Sequence, residues 1–103
     1  MKTKHTPGPW KVEEDGFIRV GTKTIGLIGN AYYHPDDFPE RNANARMMAA
    51  APDMLETLLL AEIALHTAAV LSELNGDSQA NAEFLIVAED CRKAIAKAKG
   101  EDL

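Results

Sequence analysis

Two arginines five residues apart, Arg41 and Arg46, follow a loop that carries the adjacent tyrosines Tyr32 and Tyr33. A guanidinium holds phosphate or carboxylate through paired hydrogen bonds, and a phenol ring stacks on a flat ligand. The chemistry on offer is holding rather than bond making. Each half also has a structural alternative. The arginines are solvated, paired with Asp36, Asp37 or Asp53, or aimed at an anionic ligand, and the tyrosines either lid the edge of the core or wall a binding site. Trp10, the sole tryptophan, follows the two prolines that bracket a glycine in His5 to Trp10 (HTPGPW) and either packs over the edge of the core or stacks on a ligand.

Catalytic constellations do not assemble from the rest of the chain. Nucleophilic catalysis needs a Ser or Cys beside a His and an orienting carboxylate, and His5, His34 and His66 fall in the tail, in a loop and on a helix. Gly21, Gly26 and Gly29 are not followed by Gly-Lys-Ser/Thr, so they form no phosphate loop. Glu62 and His66 stand at i and i+4, the spacing of a metal pair, without a third ligand. The expectation is a protein that is not an enzyme, with no metal and no cofactor. Cys91, the one cysteine, falls in an apolar helical stripe and is expected as a buried, inert thiol.

A chain of 103 residues and formal charge −5 sets further bounds. It is expected to be a single domain, residues 1–103, with a modest core that association would enlarge. The acidic balance argues against general binding to nucleic acid or to an anionic membrane. The best apolar run is interrupted by Glu56, Glu62 and His66, and no charged-then-apolar leader opens the chain, so a cytoplasmic protein is expected.

The elements that must position these residues follow from pattern. Short alternating runs at Trp10–Glu13, Phe17–Val20 and Thr24–Ile28, punctuated by Glu14-Asp15-Gly16 and Gly21-Thr22, predict a three-stranded antiparallel meander. A loop over Gly29–Pro39 leads to a short helix from Glu40 or Asn42 to Ala50, capped by Asn42 or Asn44, with Arg41 and Arg46 near its N-terminal end. Pro52 suits the start of a new helix, predicted over Asp53–Leu74 and apolar nearly all round. Leu55, Leu59, Ile63, Val70 and Leu74 form one stripe, Met54, Leu58 and Leu65 another, and Leu60, Ala64 and Leu71 a third. Asn75-Gly76 ends it, and Asp77 or Ser78 starts a last helix to Lys99, whose single core face is Phe84, Val87, Ala88, Cys91, Ile95 and Ala98. The fold class is α+β: the meander, a short helix and a long antiparallel helical hairpin. A helix apolar on every side predicts a homo-oligomer.

HTPGPW at His5–Trp10 and ANARMMAAAPDMLETL at Ala43–Leu58 resemble the small proteins encoded by bacteriophages and prophages that share HTPGPW, a short β region and ANARLIAAAPDLLEAL. Met47-Met48 replace Leu-Ile and Thr57 replaces Ala. The resemblance implies a phage accessory protein, of a kind that counters host defence or redirects host machinery. Some such proteins are oligomeric sponges that sequester a cyclic nucleotide or an ADP-ribose-derived signal without cleaving it. That role would draw on Arg41, Asn44, Arg46, Tyr32, Tyr33 and Trp10 to hold phosphate and base. The alternative is an inhibitor or adaptor that binds a host protein through its acidic surface or an exposed strand edge.

Overall fold

The computed structural model describes residues 4–13, 16–28 and 34–101. The fold is α+β, and the chain divides into two compact units, Met1–Met54 and Leu55–Leu103.

The first unit is built on a three-stranded antiparallel sheet, β1 (Lys11–Val12), β2 (Phe17–Val20) and β3 (Lys23–Leu27), in the order β1-β2-β3. Lys11 lies opposite Arg19 and Val12 opposite Ile18. The first strand is shorter than its apolar pattern suggested, and the third begins one residue earlier. The early start of β3 follows from Val20 pairing with Lys23 across Gly21-Thr22, and a bulge interrupts the same ladder: Ile18 pairs with Gly26 but Arg19 pairs with Thr24, which leaves Ile25 as the extra residue. Gly16 closes the β1–β2 connection with φ +88°, and a Cβ there would overlap the Ile28 carbonyl. Only glycine meets both demands. Its carbonyl accepts from Ile28 N–H at 2.9 Å, which ties the end of β3 back to the turn. Glu14 and Asp15, assigned to this turn by sequence, lie outside the described residues.

A 3-10 turn at Pro35–Asp37 precedes α1 (Phe38–Ala49). His34 caps the turn, its Nδ1 accepting from Asp36 N–H at 3.2 Å, and Pro35 supplies the fixed φ that a first helical position favours. Helix α1 thus starts two to four residues before the expected start. Pro39, read from sequence as loop, sits in the first turn, where its missing N–H costs nothing. Asn42 and Asn44 are therefore inside the helix and do not cap it. The helix packs against β1, and Ala45, Ile18 and Ile28 are the buried apolar residues of this unit among those described. After a turn at Ala50, α2 (Ala51–Leu74) begins with Pro52 in its first turn, as its position predicted.

The second unit is a helical hairpin of α2, from Leu55 onward, and α3 (Ser78–Lys99). Asp77 caps α3, accepting the Ala80 N–H at 3.0 Å. Gly100, with φ +73°, closes its other end, where Glu101 N–H donates to Ala96 at 2.8 Å. Across the hairpin the Asn81 side-chain amide donates to the Ala69 carbonyl at 2.7 Å. The contact face is built mostly from small groups: Ala69, Ala88, Cys91 and Ala96 are buried, together with Ile95 and Leu55. Val87 and Ala98, expected on the core face of α3, are exposed. Both fall about 75–95° from the middle of the buried stripe at 100° per residue, outside the reach of a slim partner face.

Candidate functional site

Four of the six residues assigned to ligand holding are described; Tyr32 and Tyr33 lie outside the described residues. All four belong to the first unit, on α1 and in the approach to β1.

Trp10 is half-buried. Its indole N–H donates to the Thr6 carbonyl at 2.9 Å, and the His5 ring meets it edge-on with centroids 6.4 Å apart. The HTPGPW segment is thus folded on itself, with the polar end of the indole already engaged and the ring left as the part able to stack. The same segment touches the second motif. A Cβ on Gly8 would stand 3.2 Å from Pro52 Cγ, so the turn at Gly8 lies directly over the proline that begins α2. The two stretches that carry the phage resemblance, more than thirty residues apart, meet in space at these residues.

Arg41 is the best-held cation of the set. Its guanidinium lies 4.6 Å from the centre of the Phe38 ring, and Nε and Nη2 both donate to Asn42 Oδ1, at 3.1 and 2.7 Å. A guanidinium stacked on an aromatic face and hydrogen-bonded in its plane loses little further freedom when it receives an anion. Phe38 and Asn42 were not in the sequence-derived set. The signal was present, since an aromatic three residues before an arginine shares its helix face, but reading residue 38 as loop concealed it.

Arg46 lies in the last turn of α1, not near its start. There a positive charge is favoured by the helix dipole, which removes the argument that an unfavourable location needs an anion to explain it. Five residues along a helix also turn the side chain about 140° from Arg41. The two arginines of one chain therefore do not converge. Asn44 and Arg46 are exposed on the helix surface.

Elsewhere, Glu62 Oε1 and His66 Nε2 approach to 3.9 Å, and among the described residues no group of three or more His, Cys, Asp or Glu is placed to hold a metal ion. Cys91 is buried in the hairpin. Apolar side chains are prominent on the surface: Met47 and Met48 on α1, and Leu60, Ile63, Val70, Leu71 and Leu74 on α2, are all about half exposed or more.

A family model described as Salmonella phage P22 protein Y8K6 matches residues 1–102. No curated protein and no solved structure matches the chain.

Proposed function

This chain belongs to the family of Salmonella phage P22 protein Y8K6, and on that premise we propose that it is a phage accessory protein, directed against host defence, that acts by binding and not by catalysis. It works in the host cytoplasm as a homo-oligomer and sequesters a small anionic signal of the cyclic nucleotide or ADP-ribose class. The observation that carries this reading is the guanidinium of Arg41, stacked on Phe38 and fixed by Asn42, a group prepared to receive phosphate. Asn44, Arg46, Trp10, Tyr32 and Tyr33 complete the contacts. Because Arg41 and Arg46 diverge on one helix, an oligomer is the arrangement in which both reach one ligand, each from a different copy.

The second reading is an inhibitor or adaptor that covers a site on a host protein. The exposed Met47 and Met48 favour it, Met47 at 68 % exposure, since adaptable methionines are common at binding surfaces.

Native mass spectrometry of the protein incubated with cyclic dinucleotides, cyclic trinucleotides and ADP-ribose-derived signals separates the two. Sequestration requires a stoichiometric adduct with the nucleotide recovered intact. Arg41→Ala should then weaken binding at least about tenfold, the scale of one lost charge-assisted hydrogen bond, while leaving the mass of the unliganded protein unchanged. Absence of any adduct would turn the assignment to a host protein.

A further inference from the structure

Helix α2 has two apolar faces on opposite sides. Leu58, Ala61, Leu65, Ala68, Ala69 and Ser72 form the covered one, turned toward α3, as the bond from Asn81 to the Ala69 carbonyl shows. Half a turn away, Leu60, Ile63, Thr67, Val70 and Leu74 follow one another at intervals of three, four, three and four residues. That alternation is the seam of a coiled coil, the pattern by which one helix packs along another. Leu60 is 63 % exposed, Ile63 65 % and Leu74 77 %.

We propose that this outer seam is the interface with a second copy of the same chain, whose α2 lies antiparallel across it with the two-fold axis at Thr67. This deepens the self-association in the reading above and does not depend on the nucleotide. The seam is self-complementary about Thr67: an antiparallel copy sets Leu60 against Leu74 and Ile63 beside Val70, the isologous arrangement that a two-fold demands. A parallel copy would instead bring Glu56, one step before Leu60 on the same seam, against its equivalent and align the two helix dipoles. Thr67 tolerates burial because its hydroxyl donates to the Ile63 carbonyl at 3.1 Å, so no orphan polar group is created. With Leu71 the exposed apolar surface comes to roughly 600 Å², at the upper end of the largest patch on an ordinary monomer and approaching the ~800 Å² per partner of a stable interface.

A lipid bilayer is the competing occupant, because α2 is long and apolar enough to cross one by length and composition, with 11 % of that stretch buried. Against a spanning arrangement, α3, packed along the other face, carries Glu89, Asp90, Arg92, Lys93 and Lys97 on exposed positions, charges that would be drawn toward hydrocarbon with it.

Light scattering on the full chain, without nucleotide, tests this. The native protein should be a dimer at micromolar concentration or a multiple of one, and Ile63→Lys with Val70→Lys should weaken association at least about 100-fold while helical circular dichroism is retained. Ile86→Lys, an equally exposed position on α3, should leave the mass unchanged. Should the double variant fail to fold, oxidation of a mixture of Leu60→Cys and Leu74→Cys chains serves in its place, with a disulfide between unlike chains expected. A monomeric native protein, an unaltered mass in the folded seam variant, disulfides between like chains, or co-flotation with lipid vesicles that the seam substitutions abolish would each overturn the proposal.

Discussion

The two long helices of the hairpin are nearly equal in length, 24 and 22 residues, and differ in what they present to the outside. Helix α3 is largely finished for water, apart from the exposed Leu85, Ile86 and Val87. One stripe of it is buried, the other side carries carboxylates early and lysines late, and both ends are closed, by Asp77 and by Gly100. Helix α2 is finished only on the face it shares with α3. Its first turn contains Asp53, but its last turn has no basic residue, and its outer face is leucine, isoleucine and valine. Two helices in one hairpin thus differ in finish: α3 has both ends closed and one buried face, while α2 buries one face and leaves an apolar one exposed. Marginal small domains gain from added burial, and in the dimer proposed above that gain would fall on α2.

The sharpest way to break the comparison is to insert the same bulk on the two faces of α2. Ala69 is 1 % exposed and its carbonyl receives the Asn81 amide, so Ala69→Leu must push the helices apart and should cost about 1–3 kcal/mol, the range for overpacking a filled site. Ala64 is exposed beside the outer seam, and Ala64→Leu should leave stability equal or raised. Urea unfolding followed by circular dichroism, at one fixed protein concentration because association shifts the midpoint, measures both. Equal losses at the two positions would mean that the outer face is as closed as the inner one.

How much of this was legible in the sequence follows the same division. Element order and fold class came from patterns that act locally: the period of two in β2, the Pro52 start, the Asn75-Gly76 turn, the Asp77 cap. Of the three stripes read on α2, Leu58 and Leu65 fall on the covered side and Leu60 and Leu71 on the exposed one, but the first stripe is divided, Leu55 being buried and Ile63, Val70 and Leu74 exposed. The errors arose where two local signals competed. Pro39 punctuates a loop as readily as it opens a helix, so α1 was begun late, and that displacement turned Asn42 and Asn44 into caps and placed Arg46 at the wrong end. Val87 and Ala98 obeyed the helical period but lie at the edge of a stripe whose width depends on the partner helix. Of the candidate site, Arg41 was identified and its neighbours Phe38 and Asn42 were not, because stacking depends on a helix register that the late start had shifted.

A smaller effect sharpens the contrast at the helix ends. Asp77→Ala removes the acceptor of the Ala80 N–H and should lower stability by about 1 kcal/mol, the usual value of a lost N-cap. Asp53→Ala in the first turn of α2 loses only an interaction with the helix dipole, on the order of 0.3–1 kcal/mol at an exposed position. Thermal denaturation of the two variants side by side gives the ranking, and a larger loss at Asp53 would show that α2, too, depends on its end.

The smallest effect concerns the surface of α3. Arg92 Nε donates to Glu89 Oε2 at 2.8 Å, and its Nη2 donates to the other carboxylate oxygen. This hydrogen bond, with the arginine charge behind it, holds the Glu89 carboxyl below its ordinary value, and Glu89 in turn raises Arg92. A carboxyl whose folded pKa is depressed adds stability at pH values above its unfolded pKa, and the gain is lost as pH falls through the folded one. Both groups are exposed and screened by water and salt, so the gain is slight. Glu89→Gln should therefore melt marginally below the native protein at neutral pH and low salt, with the difference vanishing on acidification below the carboxylate range and on addition of salt. A difference that survived both treatments would assign Glu89 a packing role in the hairpin, and α3 would then share with α2 a dependence on contacts beyond its own turn.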